Sequence, residues 1–127
     1  MNGLRSWGGP PGTQANAIEG LAAALEPARI RFRALIVERI LAFEAFRKLI
    51  LDGDEPQRAL ANIAGLAHKI SGVGATLGFA QAGGLAGALE RCILDGRARL
   101  ADPVHFGAEV EPLLEALLVA MEALLDD

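Results

Sequence analysis

The stretch from Leu66 to Phe79, LAHKISGVGATLGF, decides how this chain folds. Its surroundings are patterned as helix, yet Gly65, Gly72 and Gly74 crowd around His68, one of only two histidines. An interior helical glycine costs roughly 1 kcal/mol relative to alanine, so three cost about 3. A small domain is held by roughly 5–15 kcal/mol in all, so such a cost implies a need for space. Leu60, Ile63, Ala67, Ile70, Gly74 and Leu77 form a near-heptad inward stripe. His68 lies about 100° round the helix from Ala67 and is expected to point outward. Its neighbours three and four positions away are Ala64, Gly65, Ser71 and Gly72, all small. The expected picture is an imidazole on a helix surface shaved flat around it, open to something large. Gly74, on the inward stripe, is expected to serve packing instead.

The same periodicity extends in both directions. Towards the N-terminus, Pro56 opens the helix that carries His68, and Gly78 is placed to end it. Before Pro56, the segment DGDEP reads as a turn. Asp52, Asp54 and Glu55 lack the remaining ligands of a calcium loop and read as capping and solvated residues. Upstream of that turn, PARIRFRALIVERILAFEAFRKLIL reads as a long helix with Pro27 in its first turn. Phe32, Ile36, Ile40, Phe43 and Ile50 make its apolar stripe, widened by Leu35 and Leu49. A short first helix, capped by Thr13 or Asn16, is expected to run to about Leu25. Residues 1–14, rich in Gly and Pro, read as a flexible tail, with Trp7 available to dock or fray.

Beyond Gly78, a further helix is expected from about Phe79 to Asp95, stopped by Gly96. Gly83, Gly84 and Gly87 would let its axis approach a neighbour closely. Asp102 followed by Pro103 reads as an N-cap and first-turn pair. The last helix should turn Leu113, Leu117, Ala120 and Leu124 inward, and Pro112 should kink or divide it. No segment alternates with period two, so no strand is expected. Helices of about 20 residues span roughly 30 Å each. With short connections they fold back as an antiparallel bundle. The expected fold is therefore all-α: an antiparallel four-helix bundle over residues 15–127, with a short additional N-terminal helix.

Composition narrows the function. Of 127 residues 52% are hydrophobic, which supplies a core, and only 5% are aromatic, so that core is aliphatic. A net charge of −4 offers no basic field for nucleic acid. Cys92 is the only cysteine, which excludes an intrachain disulfide and fits a reducing cytoplasmic compartment. The opening residues have no apolar run of the secretory type. The apolar stretch PLLEALLVAMEALL is short and interrupted by Glu115 and Glu122, so no membrane insertion is expected. His105 and Glu109, four apart, are half of a helical metal site and read as boundary residues. Position alone leaves His68 between an ordinary surface residue and a functional one.

The order of residues goes further. AHKISGVGATLGF resembles the signature of histidine phosphotransfer (HPt) domains, roughly AHKLKGSAANLGA. The shared positions are Ala67, His68, Lys69, Gly72, Leu77 and Gly78. LILDGDEPQRALANIAGLAHK is similar to the family's preceding helix, turn and approach. LAGALERCILDG is similar to its following helix, with Leu85, Leu89 and Glu90 in register. The resemblance covers roughly residues 30 to 125 and is specific only around His68.

It implies that His68 is the phosphoacceptor, exchanging a phosphoryl group with a response-regulator receiver domain or a hybrid histidine kinase. Imidazole suits the task, since its ordinary pKa leaves a nucleophilic nitrogen unprotonated near neutrality. The family places a Gln or Glu on the next helix to hold the other ring nitrogen, and Glu90 matches it. Lys69 would assist phosphoryl electrostatics, and Gly72 would keep the ring's flank bare. Ser71 departs from the pattern, because the family commonly has a second Lys there. The resemblance implies a phosphoryl carrier without turnover of its own, holding no cofactor, with Mg²⁺ belonging to the partner receiver; a monomer is the expected state, though the sequence does not decide whether the bundle dimerises. The rival readings are a pseudo-HPt adaptor that binds a kinase or receiver without being phosphorylated, and a structural helical module.

Overall fold

The computed structural model describes residues 11–126, and Trp7 with most of the 1–14 segment lies outside them. The chain divides into two compact units, Met1–Arg31 and Phe32–Asp127. The helices are α1 (Pro11–Asp52), α2 (Pro56–Leu77), α3 (Ala80–Leu100), α4 (Pro103–His105) and α5 (Glu111–Ala123). A π-helical turn, Phe106–Val110, joins α4 to α5, so the three run on as a fourth rod. No strand occurs among the described residues, and the fold class is an all-α four-helix bundle.

In the first unit the described residues are the opening of α1. The expected break between a short helix and a long one is absent, because α1 continues through Pro27 from Pro11. Thr13 and Asn16 therefore lie inside the helix and do not cap a later start. Proline forfeits one backbone hydrogen bond and displaces the carbonyl four residues back. Here it follows Ala22, Ala23 and Ala24, residues of the highest helix propensity, and the helix outlasts the single defect.

The second unit is organised by α2. All six residues of its inward stripe are buried, with Leu60, Ile63 and Ala67 completely so. Burying a leucine or isoleucine side chain contributes roughly 1.5–3 kcal/mol. On α1, Phe32, Ile36, Phe43 and Ile50 are buried, whereas Ile40 is half-buried and Leu35 is 40% exposed. The α1 face is thus narrower than its apolar pattern. Pro56 starts α2, and Gly78 ends it in the left-handed conformation at φ 88°, its N–H bonded to the Gly74 carbonyl. A side chain rarely adopts that angle, so glycine is required there.

Phe79 follows outside the helix, buried, its ring 4.9 Å from that of Phe32 and nearly parallel to it. It thereby ties the α2–α3 connection to α1. Arg47 of α1 reaches Glu111 and Glu115 on the fourth rod at 3.3 Å each and also pairs with Glu44.

Gly96 bends α3 without ending it. Its backbone leaves helical geometry (φ −129°, ψ 26°), and the helix then resumes to Leu100. Leu100 is fully buried, which gives the chain a reason to continue past the glycine. On the fourth rod, Asp102 caps as expected, accepting from the N–H groups of Val104 at 3.1 Å and His105 at 3.2 Å. Pro112 cannot donate, and the backbone widens to π geometry in the turn just before it, dividing the rod. That widening shifts the buried face to Leu114, Leu117, Leu118, Ala120 and Met121. Leu113 and Leu124, expected inside, are only half-buried.

Candidate functional site

The seam between α2 and α3 determines where His68 stands. Gly74 faces Gly83, Ser71 faces Gly87, His68 faces Glu90, and the Gln57 amide donates to the Ala98 carbonyl at 3.5 Å. Residue numbers fall along α3 as they rise along α2, so the two helices are antiparallel. They approach closely: a Cβ on Gly74 would come within 3.2 Å of Gly83 Cα and 3.3 Å of the Phe79 carbonyl oxygen. A Cβ on Gly83 would meet the Ala75 nitrogen at 3.1 Å. These are backbone contacts, and two glycines are what allow them.

Two turns away from that approach, Glu90 can reach across to His68. Its Oε2 lies 2.9 Å from His68 Nδ1. The His68 side chain is 73% exposed and that of Glu90 only 23%, so the carboxylate is sheltered while the ring is open. A carboxylate only accepts hydrogen bonds, so Nδ1 carries the proton and donates. In a neutral ring the lone pair is then on Nε2. The contact therefore selects a tautomer and leaves the lone pair on Nε2.

Among the described residues, the Gly65 and Gly72 flanks of the ring are open. A Cβ added at Gly65 or at Gly72 would meet nothing within 4 Å. A shallow depression of about 300 Å³ lies beside His68, lined by Glu90, Gly65, Ala61, Ala64, Leu94 and Arg97. A second, of about 320 Å³, lies on the α1 side and takes in Phe46, Asn62, Gly65 and Lys69. Ala61 and Gly65 border both, so the ridge of α2 leading to His68 is low on either side.

Of the residues singled out from sequence, His68 and Glu90 are in contact, and Gly72 flanks the ring across open space. Lys69 is exposed but lines the depression on the α1 flank and is not among the residues around the His68–Glu90 pair. Ser71 is half-buried, its hydroxyl directed at Gly87.

Sequence reasoning passed over Arg91 and Arg97, two cations of α3 beside this groove. Their spacing of one and seven from Glu90 was the available signal. His105 stands elsewhere, its Nδ1 3.0 Å from Asp102. Glu109 is paired with Arg99 and not with His105. Asp52 pairs with Lys48 and Glu55 with Arg58, which accounts for two of the acidic residues in the DGDEP turn. Among the described residues, no three side chains of metal-ligand type come together. Cys92 is half-buried near the Glu109 carbonyl, and burial pushes its thiol above the ordinary range. Among the described residues no helix is long and apolar enough to cross a membrane.

Comparison with known proteins gives one result that covers nearly the whole chain. The family model described as Hpt domain matches residues 15–126. No curated protein and no solved structure matches.

Proposed function

The chain belongs to the Hpt domain family, and from that membership we propose that it carries a phosphoryl group on Nε2 of His68. Hpt domains serve phosphotransfer in two-component signalling. They work with kinases and receiver domains as phosphocarrier modules, and they are not enzymes. The observation that supports His68 as the acceptor is its pairing with Glu90 at 2.9 Å through Nδ1, with the rest of the ring exposed.

The step follows from that arrangement. A receiver domain presents an aspartyl phosphate, and Nε2 attacks its phosphorus in line with the bond to the carboxylate oxygen. As the N–P bond forms, the P–O bond breaks, and the aspartate leaves with its electron pair. The ring keeps its Nδ1 proton and becomes positively charged, and Glu90 offsets that charge at hydrogen-bonding distance. Reversal passes the group to another receiver aspartate. Mg²⁺ and its carboxylate ligands belong to the receiver on this reading, and this chain supplies the acceptor and an unobstructed surface. Gly65 and Gly72 keep side chains out of the space a receiver's loops would occupy. Lys69, on the far flank of α2, bears on the docked partner more than on the phosphoryl group itself.

The test is incubation with phosphorylated receiver domains from the same genome. The expected product is an acid-labile, base-stable phosphate on this chain that is lost in His68→Gln. Stable binding of a receiver or kinase with no phosphate gained from any receiver would instead make the protein an adaptor.

A further inference from the structure

A phosphoryl group on Nε2 would carry two negative charges, and α2 offers no cation one turn from His68, where Ala64, Gly65, Ser71 and Gly72 stand. The neighbouring helix does. A Cβ built on Gly87 would meet Arg91 Nη1 at 3.3 Å and Ser71 Oγ at 3.2 Å. The Arg91 guanidinium therefore folds back over Gly87, beside Ser71, in the α2–α3 groove one turn from the His68–Glu90 contact. None of the ion pairs among the described residues engages Arg91. The adjacent carboxylate, Glu90, is held by His68.

We propose that Arg91 is the phosphoryl-binding cation of this site, reaching from α3 into the place beside His68 that α2 leaves uncharged. The inference rests on His68 being the acceptor. A guanidinium presents several N–H donors in a plane and binds phosphate oxygens in pairs. Among the described residues no carboxylate pairs with it, so little has to be broken before it turns to the phosphoryl group. Gly87 is part of the device, because a side chain there would crowd the guanidinium, its Cβ alone coming within 3.3 Å of Arg91 Nη1. Ser71 is the other part. It is short enough to leave the groove to Arg91, whereas a long side chain at that position would compete for it.

The small donor potassium phosphoramidate isolates this role, since it has no docking surface. In the reaction Nε2 attacks phosphorus, the P–N bond breaks and ammonia leaves. Labelling of His68 would be followed by mass spectrometry in the full chain and in Arg91→Ala, Arg91→Lys, the double variant Arg91→Ala with Ser71→Lys, and Arg58→Ala as a remote surface control.

Loss of a charge-assisted contact predicts labelling about tenfold slower in Arg91→Ala, with melting unchanged. Arg91→Lys should recover part of the rate. The double variant should recover most of it, because Ser71→Lys returns a cation from α2 to the vacated groove. Arg58→Ala should label as the parent does. Normal labelling of Arg91→Ala would overturn the assignment, as would a loss that the cation at position 71 does not repair. If the parent chain takes phosphate on His68 and the Arg91 variants do not differ from it, only this inference falls. If the parent takes no phosphate on His68, the assignment of His68 falls and takes this one with it.

Discussion

At Gly72 an added Cβ would meet nothing within 4 Å, while at Gly74, two residues further along α2, it would press to 3.2 Å against Gly83 Cα. The same residue type, almost adjacent in sequence, answers two unrelated demands. Gly74 lies on the inward stripe, where α2 and α3 touch backbone to backbone. Gly72 lies on the outer face with Gly65 and His68, where the described residues give no steric reason for a missing side chain. Glycine is costly in a helix, and the inner pair offsets that cost by close packing. The outer glycines have no such offset among the described residues. What they leave open is space beside an exposed imidazole, which is why the outer face is assigned to a partner.

The comparison breaks most decisively at the ring itself. His68→Gln should abolish phosphate uptake from phosphorylated receivers, whereas His105→Gln, on a turn held to Asp102, should leave it intact. Labelling of both variants to the same extent would remove the outer face from the chemistry.

The glycines come next. Gly72→Gln should keep the helix and gain up to about 1 kcal/mol of stability from better helix propensity. Its transfer from a phosphorylated receiver should nevertheless fall sharply. Gly74→Leu should do the reverse to the fold, since overpacking commonly costs about 1–3 kcal/mol and the neighbours here are unyielding backbone. Thermal melting and transfer rates on the two variants would check both. Unfolding of Gly72→Gln, or its transfer at the parent rate, would merge the two faces into one packing role.

Glu90 joins the faces, being sheltered on α3 and directed at the ring. Glu90→Ala should slow transfer by about tenfold or more, the order expected for a group that assists proton placement, with melting little changed. Glu90→Gln keeps an acceptor for Nδ1–H and should recover part of that loss.

The smallest effect belongs to a cap remote from both faces. The Asp102 carboxyl is held below its ordinary range, first by the His105 backbone N–H and then by the His105 ring. Its folded pKa lies below its unfolded one, so its stabilising effect is present above the unfolded carboxyl value, about 3.9, and fades as pH falls through the folded value. Asp102→Ala should therefore melt a few degrees below the parent at neutral pH. The gap should close in acid, and transfer should not change.

Much of the fold was legible because α2 is regular: its six-residue stripe, its proline start and its glycine end all survive in the structure. The misreadings have local causes. Pro27 looked like a beginning, yet the alanine run before it carries the helix through. Gly96 looked like an end, yet buried Leu100 pulls the chain onward. Pro112 was expected to disturb the last helix, but a π turn rotates every residue after it, and periodicity alone does not reveal that rotation.

At the candidate site, the nearness of His68 and Glu90 was legible only through the family resemblance, because the two residues are far apart in sequence and meet across a seam. Arg91 offered only its place next to Glu90 in sequence as a signal. Its guanidinium lies back along α3 over Gly87 with Ser71 of α2 beside it, a placement that spacing along the chain does not show.

The most direct measurement is ³¹P–¹⁵N correlation NMR on the phosphorylated protein, with the histidine nitrogens labelled. The Glu90 contact at Nδ1 leaves the lone pair on Nε2, so the proposed acceptor role predicts one phosphoimidazole signal, with phosphorus coupled to Nε2 of His68. Phosphorus coupled to Nδ1 of His68, or to either nitrogen of His105, would contradict it.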